Sequence, residues 1–534
     1  MPSSRSHSAL GLAVIFVAIF LLHVPLLQLP YFWDEAGYYV PAARDLLLGG
    51  SLIPYSAPSN AHPPLVMAWL ALWWKLAGYA PLVTRSAMLL VSAFSLLGVF
   101  RLAEKVANLP VAIASTLCTA LYPVFFVQSS LAQVDLAAAG LTIWGLHAYL
   151  DNKKARAAIW FSFAALTKET AILAPAALAV WEMLGWVASR WIAPKKIRGL
   201  WVSEHRTPAR VAWLLFPLLP LGAWYAYHYA RTGYVFGNPE FFRYNVAATL
   251  DPLRFVLALG LRLWQVFGYM HLWLLTLGML LAMTLPPIQD GEVERRRISI
   301  PVQAVFMVVV AAYVAFMSLI GGAMLARYML TAVPLVIILA VSTLRRRLLY
   351  WPVAVGAVAA AFVLAWFWNP PYRFPLEDNL AYRDYIVLHE DADRFVEARY
   401  PMARVLTAWP AADELTRPWL GYTTRPMQVV RIEDFSLEQV LSAAEFRGNY
   451  EVALVFSTKY EPQNSSLLLR VLSRWPKLEA WQRELFNYHR DLPPGAIAQM
   501  LAGKIVFEDT KNGQWAAVIE MENREIRDAR NLLP

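Results

Sequence analysis

Only one cysteine, Cys118, occurs in 534 residues, and it lies inside an apolar run. An intramolecular disulfide is therefore excluded. The nine histidines are scattered, and no His/Cys/Asp spacing resembles a zinc site. Charge is equally scarce. Charged residues make up 16% of the chain, against about 25% in an average soluble protein. A glycine-rich phosphate loop is missing, and so is any internal repeat.

Apolar sequence fills the space that charge leaves. Hydrophobic residues make up 58% of the chain, with 22 tryptophans, and many runs approach the ~20 residues that cross a bilayer. These features describe a polytopic membrane protein. The net charge of +9 is no sign of nucleic-acid affinity, because much of it sits in short loops between spans, where Lys and Arg set topology.

The first span covers 9–29. Arg5 ahead of it places the N-terminus in the cytoplasm, and the segment reads as a retained helix rather than a signal peptide. Residues 30–62 then lie outside. If segment 63–78 crossed, the basic loops at Arg101-Leu-Ala-Glu104-Lys105 and Lys153-Lys154-Ala-Arg156 would also fall outside. Placing it along the interface, with Trp69, Trp73, Trp74 and Lys75 near the headgroups, returns both loops to the inside. Spans then follow at 82–101, 109–127, 133–150, 156–168, 170–188, 211–229, 270–287, 301–320, 327–343 and 349–368. The basic loop 190–210, Arg295-Arg296-Arg297 and Arg345-Arg346-Arg347 lie inside, and an external segment 231–268 carries a further interfacial helix. The expectation is about eleven transmembrane helices with the C-terminus outside.

Past Asn369-Pro370-Pro371 the composition becomes that of a soluble domain. Strand-like runs at 403–409, 426–432 and 451–457 alternate with helix-like runs at 390–400, 436–446 and 478–490. A closing hairpin over 504–521 turns at Asn512-Gly513. Residues 371–534 therefore form a C-terminal α/β domain outside the membrane. Its expected role is accessory, either acceptor contact or packing. Residues 1–370 form the transmembrane domain, with a site in its outer loop, 30–62.

Tyr31-Phe-Trp-Asp34-Glu35-Ala-Gly-Tyr38-Tyr39 sets two adjacent carboxylates among aromatic residues at the bilayer surface. Charge kept near hydrocarbon is a functional signal, although solvated acids in an interfacial loop would look the same. With the topology above, Asp34, Glu35, His62, Asp135, Lys168, Glu169, the polar loop 237–245 and Arg327 all fall at or near the outer face. Each has an ordinary reading. Asp135 suits a helix N-terminus, Lys168-Glu169 a local turn pair, Arg327 snorkelling to headgroups, and His62 an interfacial histidine. Arg327 also suits a phosphate, since its fork matches phosphate geometry.

Taken as an ordered set, these motifs resemble the polytopic glycosyltransferases of the GT-C class, which include protein O-mannosyltransferases and lipid A aminoarabinose transferases. The resemblance spans roughly 9–345. It rests on Asp34-Glu35, His62-Pro63-Pro64-Leu65, Asp135, Thr167-Lys168, and Arg327-Tyr328-x-Leu330 with Pro334. Where aminoarabinose transferases carry Glu-Lys before the paired prolines, this chain has Ala61-His62, which makes it more similar to the mannosyltransferase-like branch. The resemblance implies an inverting transfer from a polyprenyl-phosphate sugar to an acceptor hydroxyl on a lipid, glycan or protein. Asp34 would be the general base, beside Glu35, with Asp135 orienting the acceptor or the base. Arg327, with Lys168 or His62, would hold the donor phosphate. No cofactor is required, and two acids in one loop are compatible with a divalent metal. The rival readings are a flippase or transporter for a lipid-linked sugar and a membrane scaffold.

Overall fold

The computed structural model describes residues 4–191, 208–237, 251–320, 322–462, 476–486, 488 and 490–522. Contacts divide the chain into two units. The first comprises Met1–Leu27 and Pro41–Trp368, the second Gln28–Val40 and Asn369–Pro534. The segment that carries Asp34 and Glu35 thus packs with the second unit.

The first unit is helical. Its helices begin where the sequence supplies caps and prolines. Asn108 accepts the Val111 N–H ahead of Leu109–Leu121, and Asp251 accepts the Arg254 N–H ahead of Pro252–Phe267. Leu218–Thr232 ends on Gly233 in the left-handed conformation. Small residues set the closest helix approach: a Cβ on Gly140 would lie 1.8 Å from Ser95 Oγ, so Asp135–Leu150 and Pro81–Val106 pack nearly backbone to backbone.

Six helices among the described residues are long and apolar enough to cross a membrane by length and composition. Segments 109–127 and 349–368 form shorter helices, Leu109–Leu121 and Trp351–Phe367. The interfacial segment 63–78 forms Leu65–Ala77. The helix expected within 231–268 is Pro252–Phe267. Pro252–Phe267 runs through a kink at Met270 and His271, both at positive φ, into Leu272–Met283, giving one 32-residue apolar stretch. Arg254 and Arg262 break its hydropathy in the sequence, yet both side chains are buried. Most of the basic loop 190–210 lies outside the described residues.

The second unit contains a five-stranded mixed sheet. Its strands are β1 (Arg404–Ala408), β2 (Gln428–Ile432), β3 (Val452–Phe456), β4 (Gly503–Lys511) and β5 (Gln514–Met521). Their order is β2-β1-β3-β5-β4. β1 is parallel to β2 and β3, while β5 is antiparallel to β3 and β4. The final hairpin turns at Asn512 and Gly513, both at positive φ, as an Asn-Gly pair prefers. Helix Ala381–Arg399 lies on the sheet and starts well before the expected 390.

This unit buries a polar cluster. His389 Nδ1 and Glu414 Oε2 lie 2.6 Å apart, and Asp393 is fully buried with neither oxygen hydrogen-bonded among the described residues. Burial pushes His389 down to about 3 and lifts Glu414 and Asp393 well above the usual carboxylate range. Both directions favour the neutral forms of His389 and Glu414. An acid held protonated by the fold loses stability as pH rises past its unfolded value of about 3.9. Asp393→Asn removes that loss. The variant should gain thermal stability over wild type, and the gap should widen from pH 5 to pH 8; the His389 contribution cancels in this difference. A gap independent of pH in a melting series would refute the assignment.

Candidate active site

Three breaks in helical structure bring the candidate residues of the first unit together. Asp135 is the first residue of Asp135–Leu150. Lys168 is an extended residue between Lys154–Thr167 and the 3-10 turn Glu169–Ile172. Arg327 sits on the 3-10 turn Ala326–Met329, just ahead of Val333–Arg347. All three are at most 5% exposed.

Asp135 bridges the two cations. Lys168 Nζ donates to Asp135 Oδ1 at 2.5 Å, and Arg327 Nε lies 3.3 Å from Oδ2. Arg327 also donates to Gln133 Oε1 at 2.5 Å. Tyr328 presents its ring to the same cluster, with Lys168 Nζ 3.9 Å from the centroid. The guanidinium carbons of Arg262 and Arg327 lie at 5.5 Å and 5.7 Å, within cation–π range. Three cationic side chains therefore converge on one ring, and two of them, Lys168 and Arg327, also meet one carboxylate.

Helix Pro252–Phe267 braces the chain that leads to Arg327. Arg254 donates to the carbonyls of Ile320 and Gly322, Arg262 to those of Ala323 and Leu325, and Gln265 to that of Met324. Irregular backbone is thus satisfied internally, as a low-dielectric interior demands. Arg254 and Arg262 are eight residues apart and share one helix face. That spacing was the available signal for Arg262, which the sequence reading passed over by treating the region as external.

No protein-family model matches the chain, and no curated protein matches it by sequence at a significant level. Solved structures do match. ArnT from Cupriavidus metallidurans bound to undecaprenyl phosphate aligns with a TM-score of 0.55 at 14% identity, over 97% of this chain and 98% of that one. Its apo form aligns at 0.53 and 15%, over 96% and 98%. The fold is GT-C-like.

Within this fold, Asp135, Lys168 and Arg327 come together as their motifs suggested. His62 instead meets Glu169: its Nδ1–H donates to Glu169 Oε2 at 2.8 Å. Glu169, favoured as a turn partner of Lys168, is thus the partner of a residue 107 positions earlier. Other bonds pin the same loop, with Ser59 Oγ meeting His228 Nε2 at 2.8 Å and Trp224 Nε1 donating to the Ala61 carbonyl at 2.9 Å.

Asp34 and Glu35 differ in surroundings. Glu35 is fully buried and accepts the Phe32 N–H at 2.9 Å, while Asp34 is half-buried. Of the polar loop 237–245, only Gly237 belongs to the described residues. Among the described residues, no three His, Cys, Asp or Glu side chains group to hold a metal ion.

Asp135 acts as the counter-ion of two buried cations. Its removal leaves buried charge uncompensated, which costs about 3–5 kcal/mol. Asp135→Asn should lower the melting temperature clearly in detergent. Adding Lys168→Met should restore part of the loss, because the two positions are coupled. Strictly additive losses in the double-mutant cycle would exclude the pairing.

Proposed function

We propose that this protein is a membrane glycosyltransferase moving a sugar from a polyprenyl-phosphate donor to an acceptor hydroxyl, with inversion. The observation that carries the reading is the convergence of Lys168, Arg262 and Arg327 on the Tyr328 ring, with Lys168 and Arg327 also paired to Asp135. It occurs in a fold whose neighbour ArnT was solved with undecaprenyl phosphate.

The chemistry follows from charge. A polyprenyl-phosphate sugar is a phosphodiester with one negative charge. When the bond from the anomeric carbon to the phosphate oxygen breaks, its electron pair stays on the phosphate, which approaches a dianion. Fixed cations gain interaction energy as that charge grows, so they stabilise the transition state more than the bound donor. Asp34 takes the proton of the acceptor hydroxyl as its oxygen attacks the anomeric carbon from the opposite face. Reach to that proton sets the requirement, and the half-buried position of Asp34, beside a fully buried Glu35, supports Asp34 for this role. In its imidazolium form His62 keeps its Nδ1–H on Glu169 and offers its Nε2–H to the phosphate. The acceptor is a lipid, glycan or protein, and the placement is the bacterial inner membrane with an external C-terminal domain.

Radiolabelled polyprenyl-phosphate hexoses and pentoses, offered with an envelope extract as acceptor, test the reading. Wild type should transfer label from at least one donor. Arg327→Lys keeps the charge but loses the fork, and should lower turnover by about 100-fold or more. Translocation of the donor across vesicles without transfer would replace the enzyme by a flippase.

A further inference from the structure

The C-terminal α/β domain has an unassigned role, and the segment bearing Asp34 is embedded in it. Both backbone polar groups of Tyr31 are taken by the turn after β1. The Tyr31 N–H donates to the Leu420 carbonyl, and Tyr422 Oη donates to the Tyr31 carbonyl, each at 3.2 Å. Phe32 is buried with its ring edge-on to Tyr382 and Tyr385, at 5.8 Å and 5.4 Å. Trp33, at a positive φ of 45°, meets Tyr385 at 5.6 Å and Trp409 at 5.0 Å. Few residues other than glycine, Asn and Asp adopt that conformation without surroundings that enforce it. Gly37 comes so close to Trp409 that a Cβ there would lie 2.8 Å from Cζ2 and 3.0 Å from Nε1. Beyond Asp34, Glu35 closes the turn by accepting the Phe32 N–H.

Tyr31, Phe32, Trp33, Glu35 and Gly37 are thus each buried or held by aromatic contacts, and between them Asp34 remains half-buried. Such a frame fixes the backbone under one carboxylate while leaving that carboxylate within reach. The four aromatic contacts come from Tyr382 and Tyr385 on helix Ala381–Arg399 and from Trp409, just past the end of β1. All belong to a rigid sheet-based scaffold, the kind of support a reacting group needs to be held within a fraction of an ångström.

We infer that the C-terminal domain is a positioning element for Asp34, with Trp409 as its keystone against Trp33 and Gly37. The inference rests on the proposed transferase reading for its consequence in catalysis, and on the contacts alone for the clamp itself. Trp409, Tyr385 and Tyr422 act through Asp34 and touch no reacting atom.

Paired size changes in the full-length protein test it. Gly37→Ala places a methyl against the Trp409 ring and should cut kcat by tenfold or more, with KM for the donor and binding of undecaprenyl phosphate within about twofold of wild type. Trp409→Phe removes the ring atoms that this methyl would meet, so Gly37→Ala/Trp409→Phe should recover most of the lost kcat. A purely structural role would lower donor binding and thermal stability together with kcat, and the second change would deepen the defect instead of relieving it. Either result overturns the inference. Hydrogen exchange on the same samples separates it from the transferase reading. The Tyr31 amide should be protected in wild type and should open in Trp409→Ala while the sheet amides stay protected. Equal exchange in both proteins removes the clamp whatever the transfer assay gives. Opening in Trp409→Ala without sugar transfer by wild type leaves the clamp standing and overturns the transferase and the positioning role with it.

Discussion

The first unit is organised by the ion pairs of Asp135 with Lys168 and Arg327. Charges in a low-dielectric interior are costly unless each finds a partner and further hydrogen bonds. That requirement accounts for features that otherwise look unrelated. The helices Asp135–Leu150 and Lys154–Thr167 meet this cluster at their ends, and Val333–Arg347 follows the 3-10 turn that carries Arg327. A helix end exposes unsatisfied backbone groups, so it is a poor neighbour for hydrocarbon and a good one for fixed charge. The carbonyls of Ile320, Gly322, Ala323, Met324 and Leu325 are answered by Arg254, Arg262 and Gln265 on a single helix face. The arginines that hold the irregular chain are thus part of the condition for having an irregular chain there.

The second unit solves a different problem. Adjacent acids in sequence differ in burial: Glu35 is fully buried and closes a turn, and Asp34 is half-buried. The turn is held by aromatic faces and edges. Rings offer large contact areas with few rotatable bonds, which suits them to fixing a short segment. The buried neutral pair of His389 and Glu414 lies beneath Tyr385, which stacks on His389 at 3.9 Å.

Much of this was legible in the sequence because it follows local rules. The strands Arg404–Ala408, Gln428–Ile432 and Val452–Phe456 and the Asn512-Gly513 hairpin follow from apolar runs and turn chemistry. The grouping of Asp135, Lys168 and Arg327 was legible because each stood at the end of an apolar run at one inferred depth. What escaped depends on long-range packing. His62 and Glu169 are 107 residues apart, and no spacing rule pairs them. The helix within 231–268 was expected, but the partners of Arg254 and Arg262 were not, because both side chains are buried against carbonyls of a distant stretch of chain. The number of crossings was not fixed by hydropathy either: Leu109–Leu121 and Trp351–Phe367 are shorter than the runs that suggested them.

Tyr328 explains how three cations can share one place. Their mutual repulsion must be offset, and a second carboxylate would do so only by accepting N–H groups and adding negative charge. A ring face attracts a cation through its quadrupole and adds no net charge. Asp135 and Tyr328 together therefore hold Lys168, Arg262 and Arg327 close while the five side chains keep a combined charge of +2. A second acid would hold the cations as well and halve that charge. The arrangement with one carboxylate and one ring therefore keeps a stronger positive field, fixed in place by the fold.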